Sequence, residues 1–212
     1  MSRVLIVSRT RMNKGRVCVG AHDLEDGFRS LRLLTPSGMN MPEDKPLAVG
    51  AIWDLDYNDH EDPDLPHVED VHVTGGKRVD SIPAGDLAEY LLERIDPWTG
   101  SPETIFDGTV AATPSGRVYV PEDGPLPAQS TGYWLPDAEV LKRISFEKIR
   151  YLYMGTSTTD EFTWAGTENP PEQIAAGTLV RVSLARWFNP SSAPAGYYAQ
   201  ISGVYPNDAA PA

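Results

Sequence analysis

The chain has 212 residues, of which 41% are hydrophobic and 9% aromatic, enough for a folded core in one domain or two small ones. Its formal net charge of −12 excludes a general nucleic-acid coat protein, because such a surface repels long polyanions. The single cysteine excludes a disulfide framework, and the apolar runs are too short for a membrane-spanning helix, so we expect a cytoplasmic protein without membrane contact.

The first part of the chain, residues 1–78, predicts a small antiparallel barrel. Three strand patterns come first: "RVLIVS", "GRVCVGAHDL" and "GFRSLRLLT". Asp26-Gly27, between the second and the third, is a two-residue hairpin signal. Two further strand patterns, "LAVGAIWDLDY" and "HVEDVHVTG", complete a set of five by about Gly75.

Residues 79–145 predict a helical and turn-rich connector packed on the barrels. The segment from Ser81 to Pro97 predicts a helix, because it places four apolar side chains on one helical face: Leu87, Tyr90, Leu91 and Ile95. A second, short helix is predicted from Pro136 in "LPDAEVLKRI".

Strand patterns return in residues 146–205, and residues 206–212 predict a flexible tail. Two clusters of short strands on either side of a connector favour a mainly β fold with two small OB-like antiparallel barrels, because a closed barrel removes exposed strand edges. A single split sandwich fits the same pattern nearly as well.

Charge is unevenly distributed along the chain. Up to Leu34 there are seven basic and three acidic residues, so the remainder carries a net −16. The segment from Asp54 to Asp70 holds eight carboxylates and no lysine or arginine. A basic edge on an otherwise acidic protein indicates a local site for one anionic group or a short strand.

The candidate ligand-binding residues lie at this basic N-terminal edge. Four cations crowd the loop after the first strand and two follow on the paired strand: Arg9, Arg11, Lys14, Arg16, Arg29 and Arg32. Phe28 and Trp53 are candidate stacking platforms for a base. The alternative interpretation is that these cations are solvated or pair with the acidic segment.

Other chemistry finds little support. Asp54, Asp56 and Asn58 match the start of a calcium loop, but its sixth position is Asp59 and its twelfth is Leu65. His67 and Glu69 resemble the His-x-Glu of zinc deaminases, which also need two cysteines that this chain lacks. No nucleophile or phosphate-loop motif is present. We therefore predict no catalytic residue, no metal and no cofactor.

A series of short motifs in order resembles the dual-OB-containing domain family over nearly the whole chain. They are Ser8-Arg9, Gly15-Arg16, Gly20, Gly27, Arg32, "PHVED" at 66–70, "VSL" at 182–184, and Tyr198 with Gly203. Two positions depart from the pattern: Cys18 lies one place late, and Ala199 stands where a lysine is expected. The resemblance implies OB folds and nucleic-acid or nucleotide binding, with no established reaction.

Two functions follow from these observations, and an enzyme that uses the His67, Glu69 and Asp70 step is a third interpretation with less support. The first is a non-enzymatic binding module that recognises a short single-stranded nucleic acid or a nucleotide through the basic edge. The alternative is a protein-interaction or accessory module that docks a partner through its acidic surface and binds no nucleic acid.

Overall fold

A computed structural model describes residues 1–145, 147–155 and 159–206 of the chain. Strands dominate this range, which confirms the prediction of a mainly β protein. The predicted tail at 206–212 lies outside the described residues except for Pro206. The proposed domain boundaries stay a prediction. None of the described helices is long and apolar enough to cross a membrane.

The N-terminal half forms a closed five-stranded barrel with one short additional strand. In chain order its strands are β1 (Ser2–Met12), β2 (Arg16–Asp23), β3 (Ser30–Leu34), β4 (Met41–Pro42), β5 (Ala51–Asp59) and β6 (Asp70–Ser81). The order around the barrel is β1-β5-β6-β3-β2, and β2 pairs with β1 to close it. Neighbours are antiparallel except for β3 and β6, which are parallel. Closure leaves no exposed edge on the barrel.

The apolar run at the start of β1 is buried on both faces. Val4 and Ile6 point into the barrel core, whereas Leu5 and Val7 belong to a second cluster outside it. A strand that is covered on both sides needs apolar residues at every position, not at alternate ones. This run therefore marks the side of the barrel against which the rest of the chain packs.

The C-terminal half is a larger sheet joined to the barrel by one helix. Its elements are α1 (Ala84–Leu92), β7 (Trp98–Gly100), a 3-10 helix (Pro102–Gly108), β8 (Ala111–Ala112), β9 (Val118–Pro121), β10 (Thr131–Pro136), β11 (Val140–Ser145), β12 (Lys148–Met154), β13 (Thr159–Trp164), β14 (Gln173–Ile174), β15 (Leu179–Leu184) and β16 (Gly196–Tyr205).

The second half repeats the connectivity of the first. Its central order is β10-β15-β16-β13-β12-β11, and β13 and β16 are parallel, as β3 and β6 are. Only residues 137–139 separate β10 from β11, so these two strands act as one bent first strand. With β10 and β11 counted as the first strand, the strand order is first, fourth, fifth, third and second in both halves. In the second half the path ends on β11, which belongs to the same bent strand as β10.

The short helix predicted from Pro136 is wrong. Residues 140–145 form β11, which pairs with β12 along its whole length and with β14 at its start. Val140 is fully buried in the core of the second half. Pairing on both sides stabilises the extended backbone, and this tertiary context overrides a weak helical pattern.

The hairpin signal at Asp26-Gly27 does lie between two antiparallel strands, but the connection is longer than two residues. β2 ends at Asp23 and β3 begins at Ser30. The Asp23 carboxylate accepts the backbone N–H groups of Glu25 at 2.8 Å and Asp26 at 3.1 Å. An aspartate that bonds the backbone two residues ahead builds its own turn, which widens the loop.

Helix α1 packs between the two halves. Its buried residues Leu87 and Leu91 contact an apolar cluster that contains Leu5 from the barrel and Tyr205 from β16. The Tyr205 hydroxyl also donates to the Val7 carbonyl at 2.6 Å. The two halves therefore share a core and do not hang on a free linker.

Candidate anion-binding cleft

A cleft of about 820 Å³ separates the outer faces of the two halves. One wall comes from β1, β2 and β3, and the opposite wall from β13, β15, β16 and the start of β10. This volume lies within the range of pockets that hold small organic ligands. The cleft is therefore large enough for a nucleotide or for part of a strand.

The charge of the cleft is opposite to that of the protein. Six basic side chains from both halves line it: Arg11, Arg16, Arg32, Lys148, Arg181 and Arg186. No aspartate or glutamate is among the lining residues in the described part of the chain. A cleft whose low-dielectric walls carry one sign of charge concentrates the field inside it. The lining of the cleft is thus basic, whereas the protein as a whole is acidic.

Arg181 is the most deeply placed of these cations. Only 4% of this residue is exposed, and its Nη1 donates to the Ser202 hydroxyl at 3.0 Å. Arg181 is not a member of the ion pairs found among the described residues. Burial of an unpaired charge costs free energy, which an anion in the cleft would offset.

Gly20 provides the space for the Arg181 guanidinium. A Cβ at this position would lie 2.7 Å from Arg181 Nη2 and 2.5 Å from the Ser8 hydroxyl oxygen. Both distances are far below ordinary van der Waals contact. A glycine is needed on β2 because the arginine of the facing strand β15 lies directly against the backbone.

Arg32 and Arg186 come from different halves and share one carboxylate. Arg32 donates to both Asp70 oxygens, and Arg186 Nη2 donates to Asp70 Oδ2 at 2.9 Å, an oxygen that Arg32 Nη2 also binds. Burial lowers the pKa of Arg32, but the hydrogen bond to Asp70 and the charges of Cys18, Asp70 and Glu69 together raise it, and the net shift is upward. Arg186 Nη1 also lies 3.4 Å from the exposed Asp64 carboxylate, so at this edge of the cleft two guanidinium groups meet two carboxylates.

Glu69 ties the halves together beside the cleft. Its buried carboxylate accepts the backbone N–H of Ser130 at 2.6 Å, the Ser130 hydroxyl at 2.8 Å and the Thr131 N–H at 3.1 Å. The predicted strand from His67 is wrong at its start, because β6 begins only at Asp70. The turn before it frees Glu69 to reach β10.

With the geometry described, comparison with known proteins identifies the family. The model of the dual OB-containing domain matches residues 2–204. The chain belongs to this family. The predicted resemblance is thereby confirmed, and the equal connectivity of the two halves agrees with a family of dual OB domains.

Other comparisons add no functional information. No curated protein matches the sequence. One solved structure is that of a murine DNA-binding protein bound with double-stranded DNA. Its alignment with this protein covers 94% of this chain and 97% of the murine chain, at 9% sequence identity. Its TM-score is 0.33, which is too low to carry an argument.

In this member of the family the predicted cations divide into two groups. Arg11 and Arg16 line the cleft, as Arg32 does. Arg9 and Lys14 do not: Arg9 Nη2 donates to the Glu43 carbonyl at 2.7 Å, and Lys14 is exposed in the turn between β1 and β2. Alternation along β1 would place Arg9 and Arg11 on the same face, so their separation reflects different partners: Arg9 bonds the Glu43 carbonyl, whereas Arg11 Nη2 donates to the Thr167 carbonyl at 3.3 Å.

The remaining predicted residues lie away from the cleft. Phe28 and Arg29 line a second cleft of about 470 Å³. The Phe28 ring stacks on His22 with centroids 4.3 Å apart, and Arg29 forms an ion pair with Asp59 at 2.9 Å. Trp53 is half-buried against the core of the first barrel. The structure therefore does not bring these residues together with Arg11 and Arg16.

Three cleft cations were missed in the sequence: Lys148, Arg181 and Arg186. They are isolated from one another and from the N-terminal cluster. For Arg181 a local signal exists, since it is the one charged residue in the apolar strand "LVRVSL". A charge in the middle of a buried strand indicates a functional or structural contact.

Cys18 and His67 complete the surroundings of the site. Burial raises the pKa of the Cys18 thiol, although the Arg32 and Arg181 charges lower it, so the thiol stays protonated at neutral pH. Burial, together with the positive charges of Arg32 and Arg186, lowers the pKa of His67 to about 3. Among the described residues, no group of three or more His, Cys, Asp or Glu side chains is arranged to hold a metal ion.

Proposed function

We propose that the protein is a non-enzymatic binding module that takes a short single-stranded nucleic acid or a nucleotide into the cleft between its two barrels. The observation that carries the proposal is the charge of the cleft, where six cations and no described carboxylate line the walls of a protein with a net charge of −12. Phosphate neutralisation by lysine and arginine is the main source of affinity for nucleic acids.

The polar residues of the cleft fit the other parts of such a ligand. Hydroxyl and amide side chains alternate with the cations and are able to bond sugars and base edges: Ser8, Thr10, Asn13, Asn40, Ser183 and Gln200. OB barrels recur as binding folds for single strands, so membership of the family supports the same assignment.

The lining residues favour binding over catalysis. The described ones include no carboxylate and no imidazole that could act as a general base. Cys18, the only thiol of the chain, has a raised pKa and is a weak nucleophile. Arginine remains charged at all physiological pH values and serves to hold an anion.

The alternative, a protein-interaction module that uses the acidic surface, has less support. Five of the eight carboxylates of the acidic segment already have internal cationic partners: Asp54, Asp56, Asp59, Asp64 and Asp70. Asp54 lies 3.4 Å from Arg3, Asp56 lies 3.2 Å from the amino terminus, and Asp59 pairs with Arg29. The acidic segment is thus partly neutralised by the protein itself.

A matched pair of double variants tests the proposal. Arg11→Ala with Arg16→Ala removes two cleft cations, whereas Arg9→Ala with Lys14→Ala removes the same charge from the same segment outside the cleft. Fluorescence anisotropy with labelled single-stranded DNA, RNA and mononucleotides at several salt concentrations gives the affinities. We expect only the first variant to bind weakly, with a salt slope for single strands lower by about 0.7 for each lost phosphate contact.

Equal losses in both variants would contradict the cleft as the site, because they would reflect net charge alone. If the wild-type protein binds none of these ligands at low salt, the proposal is wrong and the protein-interaction function takes its place.

A further inference from the structure

Two large aromatic side chains follow the cleft wall directly. Leu184, Ala185 and Arg186 line the cleft at the end of β15, and Trp187 and Phe188 come next. Trp187 is 47% exposed and Phe188 is 51% exposed. Most large aromatic residues of this chain are buried, so adjacent exposure of two of them at a charged cleft is a feature that the fold does not require.

The backbone holds Phe188 in a defined position. Phe188 and Gly196 exchange two backbone hydrogen bonds of 3.0 Å, which close the loop between β15 and β16. The Phe188 ring meets the buried Tyr198 ring edge to face, with centroids 6.3 Å apart. The Arg117 guanidinium lies 4.0 Å from the centre of the Tyr198 ring. A supported ring loses little conformational freedom when a ligand binds, which favours affinity.

The aromatic pair is continuous with the cleft but not part of it. Neither Trp187 nor Phe188 lines the cleft, whereas the adjacent Arg186 does and is held there by Asp70 at 2.9 Å. A ligand that lies wholly inside the cleft does not touch the pair. A strand whose phosphate binds Arg186 as it leaves the cleft presents its next bases to the aromatic rings.

We propose that Trp187 and Phe188 stack the bases of a single strand at the mouth of the cleft, so that the protein selects oligonucleotides over mononucleotides. This inference rests on the proposed function and adds its substrate class. Every base has a π face, so stacking here gives affinity without sequence preference. The neighbouring cation Arg186 matches the phosphate that precedes the stacked bases.

The test compares Trp187→Ala and Phe188→Ala with Val79→Ala, an exposed apolar side chain on β6 that lines none of the cleft. Affinities are measured by anisotropy with a labelled mononucleotide and with single strands of increasing length. We expect each aromatic variant to weaken binding of the longer strands about fivefold or more and to leave mononucleotide binding unchanged. The chain has five tryptophans, and Trp164 lines the cleft, so the Trp187 signal is the part of the fluorescence quenching by long strands that Trp187→Ala loses. This part should remain in Phe188→Ala.

The outcomes separate this inference from the proposed function. If the cleft variant Arg11→Ala with Arg16→Ala loses binding while both aromatic variants keep full affinity for long strands, the stacking platform is wrong and the cleft stands. Equal losses for mononucleotides and long strands would also overturn the platform. If the wild-type protein binds no strand of any length, both proposals fail, and a protein partner becomes the occupant of the aromatic pair.

Discussion

Replacement of Gly20 by alanine tests how the cleft is built. The added methyl group would lie 2.5 Å from the Ser8 hydroxyl oxygen and 2.7 Å from Arg181 Nη2. Because β2 is paired with β1 and β3, the backbone at Gly20 has little freedom to shift, so the Arg181 guanidinium must move. Overpacking of this kind costs about 1–3 kcal/mol. We expect a Tm lower by about 2–12 °C and weaker binding of the anionic ligand.

The matched control for this change is Gly75→Ala on β6. There the nearest atom to a new Cβ is an Asp56 carboxylate oxygen at an ordinary 3.6 Å. Alanine in a compatible position restricts the unfolded chain, so we expect stability to stay within about 1 kcal/mol of the wild type and binding to be unchanged. Thermal unfolding and the anisotropy assay give both quantities.

A double-mutant cycle identifies the group that Gly20→Ala displaces. If this group is Arg181, the alanine costs less in an Arg181→Met background, with a coupling of about 0.5–3 kcal/mol. Additive effects would refute the assignment to Arg181. If Gly20→Ala itself keeps wild-type stability and affinity, the Arg181 guanidinium is not packed against β2, because distances of 2.5 and 2.7 Å leave no room for the methyl group without movement.

Two further predictions follow from buried charge. Arg181→Met should abolish ligand binding and leave the free protein as stable as the wild type or more so in urea titrations, because it removes a buried unpaired charge; a loss of several kcal/mol would contradict this. Burial lowers the pKa of His22 to about 4 and that of His67 to about 3. Below about pH 6.5 the unfolded chain therefore binds more protons than the folded protein. As the pH is lowered from 6.5 to about 4, the free energy of unfolding should decrease by up to about 1.4 kcal/mol per pH unit for each histidine. His67→Gln should remove about half of this slope in urea titrations at pH 7 and pH 5, and an unchanged slope would speak against a neutral buried His67.

Much of the first barrel could be predicted from local patterns. The run Val4–Val7 and the alternation in "GRVCVGAH" indicate strands because burial on one or both faces leaves a period in the sequence. The same logic failed for β11, where "AEVLKRI" carries a helical pattern but pairs with strands on both sides. Local periodicity does not show which strands from distant parts of the chain will pair with a segment.

The sequence alone determined that a basic cluster exists in an acidic protein, and Arg11, Arg16 and Arg32 of that cluster do line the cleft. Only the tertiary structure decided which other residues join them. Arg181 on β15 and Arg186 just after its end come from the opposite half, and they meet the cluster because the outer faces of the two halves face each other across the cleft. Strand alternation predicts which side chains share a face. The contact between two faces depends on long-range packing through α1 and on the hydrogen bonds from Ser130 to the Glu69 carboxylate. The site therefore belongs to the arrangement of the two barrels, which no local pattern of residues encodes.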